Sequence, residues 1–209
     1  MVTSIFIAGL GGQGVVTLSK MIAAYASEAG KKVTLFNSKG MAQRGGRVTS
    51  EIRISTDHTE EYGSRISNGD ADILVGMELG EAVNSLSYLK QDGVAVLLDY
   101  SFVPTPMILK KEEYPSFLSI AGEFSKRTGH LYGIHDAEAP HNIFVLGVLT
   151  AILESGLTEA TAVLNITREE MEKTIKANLK RRVEENLAVF RRGHAHGEKI
   201  FPYRAVAKG

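Results

Sequence analysis

The sequence predicts an α/β protein built on a single doubly wound, mostly parallel β-sheet, with further helices toward the carboxyl terminus. Five short apolar runs rich in β-branched residues, at 4–8, 32–36, 47–54, 71–76 and 94–99, recur along the first half of the chain. Helical patterns stand around them, at 15–29 after the first run, at 79–90 between the fourth and fifth, and at 117–128 beyond. The first run leads directly into Gly9-Leu10-Gly11-Gly12-Gln13-Gly14, the kind of glycine turn that takes a strand into a helix in such folds.

The remaining elements follow in order. Gly30 stands at the position just past the first helix that favours glycine, and Asn142 precedes the apolar helix 143–153 as an expected N-cap. The third run mixes polar and apolar residues on its faces, as on an edge strand or a strand facing a site. Residues 168–192 form a long amphipathic pattern, with Met171, Ile175, Leu179, Val183, Leu187 and Phe190 on one stripe and a break expected near Arg181. One α/β domain is expected over 1–192, followed by an extended tail at 193–209. His194 and His196 in that tail lack neighbouring carboxylates, so they make a poor metal pair.

Composition narrows the chemistry. The 209 residues are 44% hydrophobic and 23% charged with a formal net charge of zero, which gives no basic surplus for nucleic acid or an anionic membrane. There is no cysteine, so disulfides, a thiol nucleophile and cysteine-ligated iron–sulfur clusters are excluded from this chain. No segment approaches the roughly 20 apolar residues of a membrane span, and the amino terminus has no signal-peptide pattern, so a cytoplasmic location is expected.

The loop at 9–14 is a candidate anion cradle, because a helix start presents unpaired backbone N–H groups. Gly9, Gly11 and Gly14 match the spacing of a dinucleotide fingerprint. The second apolar run ends in Asn37, however, where a nicotinamide-binding fold would carry an acidic residue for the ribose. Nor does Lys-Ser/Thr follow Gly14, as nucleotide hydrolysis would require. Anion binding and a purely structural tight turn both remain open from the residues alone.

A second glycine stretch, Ser38-Lys39-Gly40-Met41-Ala42-Gln43-Arg44-Gly45-Gly46-Arg47, lies where a helix would ordinarily follow the second strand. Arg44 beside Gly45 and Gly46 lets a guanidinium project while the backbone approaches a partner or ligand closely. The two glycine stretches are expected to face each other at the carboxyl ends of the strands. No nucleophile elbow or acid/base constellation emerges, and the adjacent pair His135-Asp136 would point to opposite faces of a strand.

With Gly-Leu-Gly-Gly-Gln-Gly at 9–14 and Gly-Met-Ala-Gln-Arg-Gly-Gly at 40–46, the chain resembles the gamma subunit or domain of the 2-oxoacid:ferredoxin oxidoreductases. The second motif is most similar to that of the small beta subunit of the indolepyruvate branch, and Asn142 with Leu146-Gly147 is similar to the family's later helix start. The resemblance covers roughly residues 1–190. It implies a flavodoxin-like or Rossmann-like module without redox centres. Thiamine diphosphate, the iron–sulfur clusters and coenzyme A would sit mainly on partner subunits that decarboxylate a 2-oxoacid and pass electrons to ferredoxin. Gly9, Gly11, Gly12, Gln13, Gly14, Gln43, Arg44, Gly45, Gly46 and Asn142 are the expected cofactor-binding or subunit-interface residues. The alternatives are a gamma subunit of the pyruvate or 2-oxoglutarate branch, an inert assembly scaffold, or a stand-alone dinucleotide-binding protein.

Overall fold

The computed structural model describes residues 1–40, 45–200 and 202. Six strands form one sheet: β1 (Val2–Leu10), β2 (Lys32–Lys39), β3 (Arg47–Ser55), β4 (Ala71–Gly76), β5 (Leu89–Leu98) and β6 (His130–Ile134), in the order β2-β3-β1-β4-β5-β6. Strand β3 runs antiparallel to both β1 and β2, while β4, β5 and β6 add to β1 in parallel. Every strand but β3 therefore shares one direction, and the sheet is mixed but mostly parallel.

Alternate side chains of each strand go to opposite faces, and both faces are covered. Ile5, Ile7, Ile73, Val75, Val94 and Val96 meet helices α1 (Val15–Glu28), α5 (His141–Glu154), α7 (Arg168–Asn178) and α8 (Val183–Gly197). Leu74, Ala95, Leu97 and Leu131 meet α2 (Leu79–Asn84) and α4 (Phe117–Ser125) on the other side. The short helices α3 (Thr105–Lys110) and α6 (Glu159–Leu164) complete the order.

Helix α1 stops where expected. Gly30 takes φ +72°, Gly30 N–H bonds Ser27 O at 3.0 Å, and Lys31 N–H bonds Ala26 O at 2.9 Å, the paired bonds that close a helix on a left-handed glycine. The break near Arg181 is also found, since Arg182 adopts φ +49° between α7 and α8.

Several expectations are corrected. The pattern at 79–90 is not one helix: α2 ends at Asn84, a 3-10 turn covers Leu86–Tyr88, and β5 begins at Leu89. Strand β3 is not an edge strand. Its residues Ser50 and Glu51 are buried with partners, Ser50 Oγ donating to Asn37 Oδ1 at 2.6 Å and Glu51 Oε2 accepting from Ile66 N–H at 2.6 Å. The tail does not begin at Gly193, because α8 continues through Gly197 with Gly193, His194 and Gly197 buried. A Cβ on Gly147 would fall onto Phe190 O, and one on Gly193 onto Phe144 O. Helices α5 and α8 thus approach through glycine, a contact that an amphipathic pattern does not register.

Asn142 is not the N-cap of its helix. The chain enters α5 two residues earlier, through Pro140, whose carbonyl accepts from Ile143 N–H at 3.0 Å and Phe144 N–H at 3.2 Å. Asn142 therefore sits within the first turn, where its side chain projects sideways.

Candidate functional site

The candidate site is built at the carboxyl end of β1. Gly12 and Gly14 adopt φ +101° and +81°, and Gly14 starts α1 from the left-handed region. No side chain caps this helix and no acidic residue occupies its first turn. Leu18 N–H to Gly14 O, 2.9 Å, is the first bond of the helix, so the N–H groups of Val15, Val16 and Thr17 have no partner among the described residues. Their aligned dipoles leave partial positive charge at this end.

The second glycine stretch lies against the first. Gly11 N–H donates to Gly46 O at 2.8 Å, and Gly40 N–H to Arg47 O at 2.8 Å closes the β2–β3 hairpin. The juxtaposition expected from the sequence is therefore present, but through an antiparallel hairpin and not through two parallel crossovers. Between them opens a cleft of about 610 Å³ lined by Gly11, Gly12, Gly14, Val16, Thr17 and Lys39 among others. Lys39 ends β2, is exposed, and has no ion pair among the described residues. Unpaired N–H groups and an ammonium form a donor-only set, which suits a phosphate or carboxylate.

The expected site residues divide into distinct roles. Gly9 is packed, since a Cβ there would lie 2.8 Å from Met77 Cβ and 2.9 Å from Val15 Cγ2. Gln13 turns inward, its Oε1 accepting from Leu10 N–H at 2.7 Å and its Nε2 donating to Met77 O at 2.8 Å. Asn142 reaches Gly14 from α5, with Nδ2 2.6 Å from where a Cβ on Gly14 would stand. Gly45, at φ +71°, faces the ring of Phe102. Gln43 and Arg44 lie outside the described residues.

Asn37 points away from a ribose-binding role: its Oδ1 is held by Ser50 Oγ and, at 3.5 Å, by Ser19 Oγ. His194 is buried and pairs with Glu154 Oε2 at 2.7 Å across the α5–α8 contact. Among the described residues no group of three or more His, Cys, Asp or Glu is placed to hold a metal. No helix among them is long and apolar enough to cross a membrane.

Sequence reasoning missed the structure flanking the second glycine stretch. Arg47 pairs with Glu81 Oε2 at 3.3 Å and donates to Ser85 Oγ at 3.2 Å, tying the hairpin to α2. Burial pushes the Glu81 carboxyl up; Arg47 opposes this and Glu78 adds to it. Glu78, 2% exposed, accepts from Phe102 N–H at 3.1 Å, Tyr114 OH at 2.6 Å and Glu81 N–H at 2.8 Å. One buried carboxylate thus holds both ends of the segment 102–114. Burial and then Glu78 push the Tyr114 hydroxyl well above the usual phenol range. That segment exposes Phe102, Val103, Ile108 and Leu109, the last 79% accessible. His135 pairs not with Asp136 but with Asp99, Nδ1 to Oδ2 at 2.8 Å, because both follow the ends of adjacent parallel strands. Residues 99 and 135 are far apart in sequence, so only strand order could have joined them.

Comparison with known proteins places this geometry in a family. Over 191 residues the chain is 29% identical to indolepyruvate oxidoreductase subunit IorB of Methanothermobacter thermautotrophicus, covering 91% of this chain and 95% of that one. Its fold is similar to the crystal structure of pyruvate oxidoreductase subunit PORC from Thermotoga maritima, at TM-score 0.61 and 21% identity over 93% of this chain and 96% of the other. It is also similar to 2-oxoglutarate:ferredoxin oxidoreductase from Magnetococcus marinus, solved with 2-oxoglutarate, coenzyme A and succinyl-CoA bound, at TM-score 0.64 and 17% identity. That match covers 97% of this chain and 32% of the longer one. The family model described as pyruvate ferredoxin/flavodoxin oxidoreductase matches residues 4–196, and the chain belongs to that family.

Proposed function

We propose that this chain is the small subunit of a thiamine-diphosphate-dependent 2-oxoacid:ferredoxin oxidoreductase, acting on indolepyruvate or another aryl pyruvate and forming the acyl-CoA. The similarity to an indolepyruvate oxidoreductase subunit over nearly the whole chain supports the substrate branch. The similar pyruvate and 2-oxoglutarate enzymes supply the alternatives. Thiamine diphosphate and iron–sulfur clusters, when bound in the complex, supply decarboxylation and one-electron transfer to ferredoxin. With no cysteine of its own, this chain fits a division in which the larger subunit ligates the clusters.

The observation that carries the role of this chain is the cleft between the two glycine stretches, lined by the unpaired N–H groups that start α1 and by Lys39. Its residues fit a phosphate group of coenzyme A: Val15, Val16 and Thr17, with their unpaired N–H groups, and Lys39 all belong to its lining, and such donors suit phosphate oxygens. Gly12 allows a ligand to come close to the backbone, because nothing lies within 4 Å of where its Cβ would stand. Around the cleft, Gly45, Gly46 and the apolar segment 102–109 form the surface that meets the larger subunit.

Replacing Lys39 by Ala in the purified complex tests this reading. The KM for coenzyme A should rise about tenfold, the loss of one charge-assisted contact, while the KM for the 2-oxoacid stays unchanged. An unchanged KM for coenzyme A would remove the cleft from coenzyme binding and leave the chain as a scaffold.

A further inference from the structure

We infer that Gln13 is a positioning residue, which sets the anion-binding geometry of the glycine loop without touching the ligand. The inference rests on the reading of the cleft as a coenzyme A site and adds how that site is held in shape. Parallel pairing of β1 with β4 ends at Ala8 opposite Gly76, and Met77 N–H to Ala8 O, 2.7 Å, is the last backbone bond between the two chains. Beyond it the chains diverge, β1 into the glycine loop and β4 toward α2. The Gln13 carboxamide fills the gap. Its Oε1 accepts from Leu10 N–H at 2.7 Å and its Nε2 donates to Met77 O at 2.8 Å, so one planar amide stands in for the missing peptide unit of a ladder.

Glycine at position 9 belongs to the same device. A Cβ there would lie 2.8 Å from Gln13 Oε1, inside contact distance, so the amide occupies space that only glycine leaves free. The backbone closes on itself as well, with Gln13 N–H to Leu10 O at 3.1 Å. The next residue, Gly14, begins α1, so the direction of the Val15 to Thr17 N–H groups follows from where Gln13 is pinned. Side-chain chemistry restricts the role. Asn is one methylene too short, ionised Glu has no donor for Met77 O, and Met has neither bond.

The test uses the assembled complex carrying Gln13→Glu, with Gln13→Met and Lys39→Ala beside it. In Gln13→Glu the carboxylate keeps the Leu10 contact but turns an oxygen on Met77 O. Its KM for coenzyme A should rise about tenfold or more near pH 7.5, with the KM for the 2-oxoacid unchanged. The ratio to wild type should narrow as pH falls toward the carboxyl range, where a protonated Glu regains an O–H donor. A wild-type KM for coenzyme A, or a raised ratio that ignores pH, overturns the inference. If Gln13→Glu does not assemble, an assembled Gln13→Met with wild-type KM overturns it equally. Should Lys39→Ala raise the KM while Gln13 variants do not, the positioning role fails and the cleft stands; if neither moves, the cleft reading fails too.

Discussion

Gly14 shows how much a single missing methyl group carries in this protein. It takes φ +81°, where an L side chain is strained, and the Asn142 carboxamide stands where its Cβ would be. Gly14→Ala should therefore lose roughly 1–2 kcal/mol to backbone conformation alone, and more to the clash. Asn142→Ala in the same background should return only the steric part. Thermal unfolding of the two single variants and the double variant separates the terms, and additive losses would show that Asn142 and Gly14 do not press on each other. The glycines at 9 and 14 were legible as a motif. Their reasons were legible only in part, because beside the nearby Gln13 and Val15 the neighbours that exclude a Cβ include Met77 and Asn142, from distant parts of the chain.

At the level of elements, two devices fasten helices and straps by charge. Glu78 holds segment 102–114 at both ends, leaving Ile108 and Leu109 of α3 turned to solvent at 61% and 79% exposure. An apolar patch kept in place by a buried carboxylate suits a subunit contact. Leu109→Asp should leave the isolated chain as stable as before and weaken assembly with the larger subunit, read by co-purification or light scattering; undiminished assembly would take α3 out of the interface. On the other face, Glu172 of α7 receives Arg191 of α8 at 2.5 and 2.9 Å and Arg168 at 3.2 Å. These guanidiniums, Arg191 foremost, hold the Glu172 carboxyl down to about 2, below the usual carboxylate range. A folded-state value below the unfolded one contributes stability that is present above about pH 4.3 and is lost as pH falls toward 2. Glu172→Gln should therefore lower stability at pH 7 and flatten its decline between about pH 5 and 2, measured by denaturant titration across that range. A parallel offset at every pH would contradict the ion cluster.

For the whole molecule, the reach of the sequence follows from the range of the interactions involved. The α/β class, the glycine-loop entry into α1, the Gly30 stop and the break near Arg181 rest on contacts within a turn or a strand, and such patterns are written in adjacent residues. The interior place of β3 was hidden because its polar residues, which suggested an edge or a strand facing a site, find their partners elsewhere in the chain: Ser50 meets Asn37 on β2 and Glu51 meets Ile66 N–H. The continuation of α8 past residue 192 was hidden for a similar reason: Gly193 and Gly197 read as tail residues until Gly147 meets Gly193, and Val148 and Ala151 meet Gly197, across the helix crossing. In the candidate site, both glycine stretches and their adjacency could be anticipated, since loops at the carboxyl ends of a doubly wound sheet converge. The inward turn of Gln13, the sideways reach of Asn142 from α5, and the Asp99–His135 pair could not. By itself the sequence determined which backbone could turn tightly and where donors were available. Tertiary structure alone decided which of those donors face the cleft and which are consumed inside the fold, because a buried hydrogen-bonding group must be paired and the fold decides which partners come within reach, Met77 of Gln13 among them.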